Sequence, residues 1–368
     1  MKQIQCTEPK YRQILQRFKD DIRSGKYKPG QRVPSECQLV KEFRASRVTV
    51  NRAMTELRLT GVIERRVGSG SYVRLPESRE HRFGLLIPDL GKTEIFEPMC
   101  LGLAEAREQE HHPLLWGKSP SESGASTKEI EALCYQFISR GVSGVFFAPL
   151  EHAREKDAIN RQIVETLARA EIAVVLLDRD LAPYPDRSTC DLVSIDNRRA
   201  GDVLTQHMLS AGAQKLMFLG RPRSAPTVDL RIDGFRDAIL NFGLGFCANQ
   251  VVRIDPQDST SVQQALKQIR PDGIVCADDW TAAQVMQVLT DMNISIPYQM
   301  KIAGFGDAKY ASLLPVPLTT IHPPYMAIGA AALETMVHRL RHPDVPSRNV
   351  MLNFALVVRR STGAELLT

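Results

Sequence analysis

Acidic side chains follow several short apolar runs of the sequence, and these residue types are able to bind or react with a ligand. Five runs end in this way, at Asp89, at Asp178 beside Arg179, at Asp196 beside Asn197, at Asp278 with Asp279, and at Asp307 after Gly306. Carboxylates that converge could hold a metal ion, move protons in catalysis, or accept hydrogen bonds from the hydroxyl groups of a polyol.

The rest of the sequence favours polyol binding among these three chemistries. None of the 8 His residues stands in an H-x-x-H arrangement, which a metal enzyme would use. The phosphate-binding pattern G-x-x-x-x-G-K-[ST] does not occur, so a phosphotransferase is not indicated. The 7 Cys residues are dispersed without a C-x-x-C pair, which predicts free thiols. We therefore predict a binding cleft with no metal, no cofactor and no enzymatic activity.

Charge is divided unevenly along the 368 residues, although the net charge is only +5. Residues 1–75 carry 17 Lys and Arg against 7 Asp and Glu, whereas the remainder carries 30 against 35. A basic head on a mildly acidic body is typical of a polyanion-binding module joined to a domain with another partner. A solubility feature and a membrane-surface patch are the alternatives at this point.

Composition restricts the class of protein further. Hydrophobic residues make up 43% and charged residues 24%, as in an ordinary soluble globular protein. No run approaches the ~20 apolar residues of a membrane helix. The first residues lack the hydrophobic core of a secretion signal, so we expect a cytoplasmic protein with no membrane partner.

The basic head has the pattern of a helix-turn-helix. A helix is predicted over 10–24, a second one follows the N-cap Ser35, and a third runs from about 47 to 60. The third helix turns Val50, Ala53, Met54 and Leu57 inward. Its opposite face carries residue types that suit base edges in the major groove: Arg47, Val48, Asn51, Arg52 and Thr55.

Two short strands, 62–66 and 71–74, are predicted directly after this helix, around a turn of Gly68, Ser69 and Gly70. Arg65 and Arg66 stand near that turn, where they could meet phosphates, so the hairpin reads as a wing. The Gly-Ser-Gly fragment could also be a nucleotide-binding turn, but the βαβ unit that such a turn needs does not follow.

Residues 10–74 resemble the winged-helix domain of the GntR family of bacterial transcription regulators. The matching stretches are YRQI, IRSGKYKPGQRVPSE, SRVTVNRAM, LRLTGVIERR and GSGSYV. The resemblance implies homodimeric binding to a two-fold symmetric operator. It implies DNA contacts from Ser35, Glu36, Arg47, Val48, Thr49, Asn51, Arg52, Arg65, Arg66, Gly68, Ser69 and Gly70. Cys37 and Asn51 stand where the family usually has arginine, so the operator sequence should differ.

The chain beyond residue 82 alternates apolar runs with amphipathic stretches such as 161–171 and 261–270. Buried strands separated by helices predict α/β architecture with parallel sheets covered on both faces. Eight strands fit two doubly wound lobes better than one sheet. They lie within 83–90, 144–150, 173–180, 192–197, 215–220, 273–279, 301–307 and 318–322. We expect a DNA-binding domain over 1–75 (helix-turn-helix about 35–60, wing 62–74), a linker over 76–82 and a two-lobed domain over 83–368.

Residues 83 to about 365 resemble the effector domain of LacI-type repressors, which is similar to periplasmic sugar-binding proteins. The pieces that carry the resemblance are FAPL, VVLLDRD, SIDNRRAG, LRIDGFRDAI, GIVCADDWTA and IAGFGDAKYASLLPVPLTTIHPPYMAIG. It implies effector contacts from Phe96, Asp178, Arg179, Arg231, Asp279, Asp307 and His322. Asp278 replaces the usual Asn, and His322 stands where Gln is frequent. Both domains together resemble the arabinose-repressor subgroup.

These patterns predict a sequence-specific transcription regulator, a repressor of sugar-metabolism genes whose small effector binds between the two lobes. A nucleobase or a phosphorylated sugar is the alternative effector, since Arg179, Arg231 and Lys92 could meet an anion. An enzyme with a DNA-binding head and a purely architectural DNA-binding protein are the other classes considered. A dimer is expected rather than a tetramer, and the sequence leaves open whether the effector releases or promotes DNA binding.

Overall fold

The computed structural model describes residues 9–23, 26–28, 30–59, 62–66, 69–73, 81–87, 94–108, 112–116 and 127–363. The chain divides into two compact units, Met1–Arg79 and Glu80–Thr368, and each is described by itself. Gly68, Asp89, Lys92 and most of the predicted linker (76–80) lie outside the described residues.

The first unit contains three helices and a hairpin. These are α1 (Lys10–Arg23), α2 (Glu36–Phe43), α3 (Arg47–Leu59), β1 (Ile63–Arg66) and β2 (Gly70–Val73). Ile14 and Phe18 of α1 pack with Leu39 of α2 and with Val50 and Leu57 of α3 in one buried cluster. The predicted helix-turn-helix is confirmed, because the apolar face of α3 is the one that packs inward.

Local signals fix where these elements begin and end. Ser35 caps α2 in a capping box with Gln38, and Arg44 ends α2 in the left-handed conformation at φ 45°.

The prediction that Gly70 lies in the wing turn is wrong, because Gly70 is the first residue of β2 and pairs with Arg66. It has φ 121°, and a side chain there would press against the Nε atom of Arg32. The position therefore needs glycine.

The second unit consists of two lobes, each built on a six-stranded sheet. The first sheet has the order β13-β7-β6-β5-β3-β4 and is entirely parallel. Its strands are β3 (Phe83–Leu86), β4 (Leu114–Trp116), β5 (Gly144–Phe147), β6 (Ala173–Leu177), β7 (Asp191–Ile195) and β13 (Asn349–Leu352). Its helices are α4 (Phe96–Glu108), α5 (Thr127–Ser139), α6 (Lys156–Arg169) and α11 (Tyr325–Arg341).

The second sheet has the order β14-β12-β11-β10-β8-β9, and only β14 is antiparallel to its neighbour. Its strands are β8 (Leu216–Gly220), β9 (Val251–Arg253), β10 (Gly273–Cys276), β11 (Lys301–Phe305), β12 (Thr319–His322) and β14 (Ala355–Val357). Its helices are α7 (Asn197–Ser210), α8 (Pro226–Asn241), α9 (Ser259–Ile269) and α10 (Asp279–Asp291).

The chain crosses between the lobes three times, at β7 to α7, at β12 to α11, and at β13 to β14. Close helix packing accompanies the first two crossings. A side chain at Gly201 of α7 would collide with the backbone of Arg231 on α8, and one at Gly329 of α11 with the backbone of Met99 on α4. Each crossing helix is thereby held tightly in its new lobe.

The prediction of α/β architecture with two doubly wound lobes is confirmed, and all eight expected strands are present. The strands β4, β9, β13 and β14 were not predicted. They have three or four residues each, stand at or beside sheet edges and are only half buried, so they lack a long apolar run. Among the described residues, no helix has the length and apolar character needed to cross a bilayer.

Candidate functional site

The carboxyl ends of the strands of both lobes face one another across a cleft, and polar contacts cross it. The backbone N–H of His152, after β5, donates to the carbonyl of Arg223, after β8, at 2.9 Å. Arg223 Nε donates back to the carbonyl of His152 at 3.0 Å. Elsewhere the N–H of Lys309 donates to Glu94 Oε2 at 2.6 Å. Segments that follow strands of different lobes therefore meet at this cleft.

In the first lobe the cleft contains a buried arginine. Arg179 follows β6, its side chain is 4% exposed, and its Nη1 lies 2.5 Å from Glu151 Oε1. Its Nε is 3.4 Å from Asp178 Oδ2. Its guanidinium lies 5.4 Å from the centre of the buried ring of Phe96. Thus Phe96, Asp178 and Arg179, three predicted effector residues, are brought together, and Glu151 joins them.

Electrostatics fixes the charge of this cluster. Burial alone would raise the pKa of Glu151, but the charges of Arg179 and His152 outweigh it and lower that pKa to about 2. Burial would likewise lower the pKa of Arg179, and the charges of Glu151 and Asp178 more than compensate. Both partners therefore stay ionised at every physiological pH, and the pair is permanent.

In the second lobe a buried carboxylate has neutral partners only. Asp279, at the start of α10, is 2% exposed. Its Oδ1 accepts from the Thr320 hydroxyl at 2.6 Å, and its Oδ2 accepts from the N–H of Ala308 at 2.9 Å. Burial raises the pKa of Asp279 to about 7, since these two hydrogen bonds offset the loss of water only in part. Neighbouring Asp278 instead caps α10 through the N–H of Thr281.

The predicted residue Arg231 lies in the second lobe and its donors are used inside the protein. Its Nε donates to Asn197 Oδ1 at 2.9 Å and its Nη1 to the carbonyl of Ala277 at 2.7 Å. Its guanidinium also lies over the ring of Phe305, 4.6 Å from the centre. Asn197 begins α7, so Arg231 ties the first crossing between lobes to the end of β10.

Asp307 and His322 form a second predicted pair, with 3.0 Å between Asp307 Oδ2 and His322 Nδ1. Arg359 binds the other oxygen of Asp307 at 2.6 Å. The pair lines a cavity of about 460 Å³ that opens between the start of α4 and the ends of β11 and β12. Tyr325 also lines this cavity, and its hydroxyl donates to the carbonyl of Gly306.

Three side chains of the cleft were missed by sequence reasoning: Glu151, Arg221 and Tyr325. Burial raises the pKa of Tyr325, and the charges of Asp178 in one lobe and Asp279 in the other raise it further, which puts Tyr325 near both. Arg221, at the end of β8, lies 3.4 Å from Asp278 and over the ring of Trp280. The signal for Glu151 and Arg221 was available, because both directly follow predicted strand ends.

One donor of the cleft remains without a partner. Among the described residues, the buried Nε of Arg221 has no hydrogen-bond partner, and that of Arg179 has only its 3.4 Å ion-pair contact with Asp178. They come from opposite lobes and both lie beside carboxylates. A ligand with hydroxyl or carbonyl oxygens could accept from these donors and donate to the carboxylates, which is the chemistry of polyol recognition. The described part of the chain contains no group of three His, Cys, Asp or Glu that could hold a metal.

In the first unit, the exposed face of α3 carries the predicted base-reading side chains. Val48 is 80% exposed, and Asn51 is exposed beside it. Arg47 is exposed with its Nη2 3.9 Å from Cys37 Sγ. Two further predicted residues have internal contacts. Arg52 lies over the ring of Tyr11, 4.2 Å from its centre, and the hydroxyl of Thr49 is 2.8 Å from that of Ser46.

The remaining predicted DNA contacts lie at the start of α2 and in the wing. Ser35 and Glu36 are exposed at the start of α2, where Ser35 also caps the helix. Arg65 is exposed on β1, whereas Arg66 donates to Glu64 and lies over the ring of Tyr72. Ser69 bonds the hydroxyl of Tyr72 at 2.6 Å. Among the predicted DNA-binding residues, Val48, Asn51 and Arg65 thus have the side chains most accessible for contact with DNA.

Comparison with known proteins assigns both units. Residues 10–73 match the family of bacterial regulatory proteins of the gntR type, and residues 205–362 match the periplasmic binding protein-like domain. The chain therefore combines a gntR-type winged helix-turn-helix with a periplasmic-binding-protein-like domain, which is the composition of a bacterial transcription regulator.

Individual relatives agree with that class. The arabinose metabolism transcriptional repressor of Geobacillus stearothermophilus is 25% identical over 97% of this chain and 98% of its own length. The structure is similar to that of the transcriptional regulator CelR in complex with cellobiose, with TM-score 0.65, 20% identity, and 86% and 90% coverage of the two chains. A LacI family regulator from Enterococcus faecium with bound ribose has TM-score 0.61, 22% identity, and 76% and 98% coverage.

Proposed function

We propose that this protein is a transcription repressor of sugar-metabolism genes, and that a neutral sugar bound between the two lobes controls its affinity for operator DNA. The observation that carries the proposal is the cleft itself. Buried Arg179 and Asp279 stand in opposite lobes with fixed partners, and the Nε of Arg221 has no hydrogen-bond partner. An arabinose repressor similar over nearly the whole chain, and neighbours with bound cellobiose and ribose, support the sugar.

The DNA-binding step follows from the head. The exposed face of α3 offers Val48 and Asn51 to base edges, and Arg47 and Arg65 supply positive charge for phosphates. We propose that the protein acts as a cytoplasmic homodimer without enzymatic activity. Two heads would then contact half-sites of a two-fold symmetric operator, about one helical turn, ~34 Å, apart.

Control by the effector follows from the two-lobed body. A ligand that accepts hydrogen bonds from both lobes favours the arrangement in which its contacts are complete. The lobe arrangement differs with and without sugar, and this difference changes the affinity for DNA. Linkage then requires that operator DNA and sugar alter each other's affinity by the same factor.

The test uses the full-length chain and DNA fragments of the source genome recovered at physiological salt. The expected result is a short two-fold symmetric motif upstream of a few genes, with its affinity changed roughly tenfold by one neutral pentose or hexose. Recovery that is independent of sequence and vanishes with added salt would contradict the proposal. Sedimentation of the protein on that fragment measures whether two chains bind.

Two matched variants separate the functions of the two units. Arg221→Gln removes an unused donor of the cleft, and it should abolish the response to sugar while leaving affinity for DNA unchanged. Arg236→Gln serves as control, because Arg236 of α8 pairs with Asp233 and is 41% exposed. An unchanged sugar response in Arg221→Gln would show that the ligand binds elsewhere.

A further inference from the structure

A carboxylate that the sequence did not single out controls the charge of the cleft in the first lobe. Glu151 lies beyond β5, and Arg179 lies beyond the adjacent strand β6, whose register pairs Phe147 with Leu176. The two side chains therefore extend from neighbouring strands and meet at 2.5 Å. Arg179 is almost completely buried, whereas the side chain of Glu151 is 26% exposed. The exposed part of this ion pair is thus the carboxylate.

The surroundings of Glu151 hold it in the ionised form. His152 Nε2 lies 3.5 Å from Glu151 Oε2, and Arg221 approaches from the other lobe closely enough to lower its pKa. Arg179 in turn faces a second carboxylate, Asp178, and Arg221 faces Asp278. Three carboxylates thus accompany two guanidinium groups, and a ligand between the lobes does not experience a free positive charge.

This arrangement treats neutral and anionic ligands differently. A hydroxyl group can both accept from an arginine, such as Arg221 with its unpartnered Nε, and donate to a carboxylate such as Glu151. A phosphate group can accept from the same arginines, but it carries a charge of about −1.5 to −2 at neutral pH and would lie beside the negative charge of Glu151. Like charges a few ångströms apart repel strongly where water is partly excluded.

We infer that Glu151 is the specificity-determining residue that makes the cleft accept neutral polyols and reject their phosphorylated forms. The inference rests on the proposed sugar-responsive function and adds to it the residue that sets the class of ligand. It explains how a cleft with two arginines can avoid the phosphorylated sugars that abound in a cell. Glu151 acts here through a contact with the ligand as well as through Arg179.

The test measures the affinity of the full-length protein, by titration calorimetry, for neutral pentoses and hexoses, for their monophosphates and for inorganic phosphate. The wild type should bind one neutral sugar and bind its monophosphate at least about a hundredfold more weakly. Glu151→Gln keeps the shape of the side chain and removes its charge. This variant should bind the neutral sugar roughly tenfold more weakly and the monophosphate roughly tenfold more tightly than the wild type does.

Control variants keep the result interpretable. Glu155→Gln removes an equal charge from an exposed position four residues further along, and both affinities should stay at wild-type values. Glu151→Asp retains the charge and should keep the rejection of phosphates even where its shorter side chain costs affinity. If Glu151→Gln does not fold, the inference is tested with Glu151→Asp and with the double variant Glu151→Gln with Arg179→Gln. The double variant lacks the freed guanidinium and should not gain affinity for phosphates.

Three outcomes would overturn the inference, and they can be told apart. An unchanged ratio of sugar to phosphate affinity in Glu151→Gln refutes the role of Glu151 and leaves the regulatory function intact. A wild type that prefers a monophosphate refutes the neutral ligand and also the selectivity. A wild type that binds neither class at millimolar concentration, while still binding DNA specifically, refutes the sugar-responsive function on which the inference rests.

Discussion

The recognition face of the head and the cleft of the body use charge in opposite ways. The head presents the charges of Arg47 and Arg65 to solvent, whereas the cleft buries Arg179 against Glu151 and Asp279 against neutral donors. An exposed charge is screened by salt and contributes little to stability. A buried charge depends on its partner, so its removal affects the fold, and its pKa responds to its surroundings. DNA binding should therefore depend on salt, and effector binding on pH and on partner residues.

The largest test of this contrast removes the buried cation. Arg179→Met leaves Glu151 and Asp178 without their guanidinium, and it should lower the free energy of unfolding by roughly 3 kcal/mol and abolish sugar binding. Urea unfolding measures the first effect. Arg169→Met is the control, since Arg169 pairs with Glu165 on the exposed surface of α6 and should cost less than about 0.5 kcal/mol. Equal losses in the two variants would contradict the contrast.

The next test concerns the buried carboxylate with neutral partners. The pKa of Asp279 is about 7 in the folded protein, against an ordinary value of 3.8. Between these values the folded chain holds one proton more than the unfolded chain, so stability falls as the pH rises from about 4 through 7. A difference of three pKa units changes the free energy of unfolding by roughly 4 kcal/mol over this range. Asp279→Asn cannot titrate, and its stability relative to wild type should rise over this range.

Urea unfolding of both proteins at pH 5 and pH 8 checks that expectation. The control is Asp291→Asn, which changes an exposed carboxyl at the other end of α10. It should follow the wild-type pH dependence, because that side chain keeps its contact with water. Parallel pH profiles for wild type and Asp279→Asn would mean that Asp279 stays ionised in the folded state.

A smaller effect is expected on the exposed face of the head. Asn51→Ala should relax the preference for one base pair of each half-site, worth about 1–3 kcal/mol, with little change in stability. Arg52→Ala provides the comparison, because Arg52 rests on the ring of Tyr11 and its loss should weaken binding to all sequences alike. Selection from randomised DNA measures the base preferences of both variants. The same base preferences in Asn51→Ala and wild type would remove Asn51 from base recognition.

The smallest effect belongs to the wing and sharpens the salt contrast. Arg65→Ala should reduce the slope of log affinity for DNA against log salt by about 1, the value for one phosphate contact. Titrations of operator DNA between low and physiological salt give this slope. Sugar affinity measured over the same salt series should stay constant, since Arg179 and Asp279 are shielded from solvent. A salt-dependent sugar affinity would place the ligand at the surface.

The sequence predicted most of the fold because its apolar runs are long where strands are buried on both faces. The runs that became β5, β6, β8, β10 and β11 are almost wholly apolar, and their positions were right. The edge strands escaped detection because an edge needs few apolar residues. Gly70 was assigned to a turn on residue type alone, whereas pairing with Arg66 places it in β2.

The candidate site was only partly predictable, for a different reason. Strand ends can be located from the sequence, and so Asp178, Arg179 and Asp279 could be named. The partner of each side chain cannot be located in the same way, because it comes from another strand or lobe. The bond from Glu151 to Arg179 spans two strands, and the one from Thr320 to Asp279 spans two elements. The assignment of residues to DNA and effector contacts remains a prediction.

The third crossing between the lobes has a consequence for synthesis of the chain. The described elements of the head end at residue 73, whereas β13 and β14 complete the two sheets of the body from residues 349–357. A ribosome making this protein therefore releases every element of the head while both sheets still lack an edge strand. The two-lobed cleft is complete only near the end of translation.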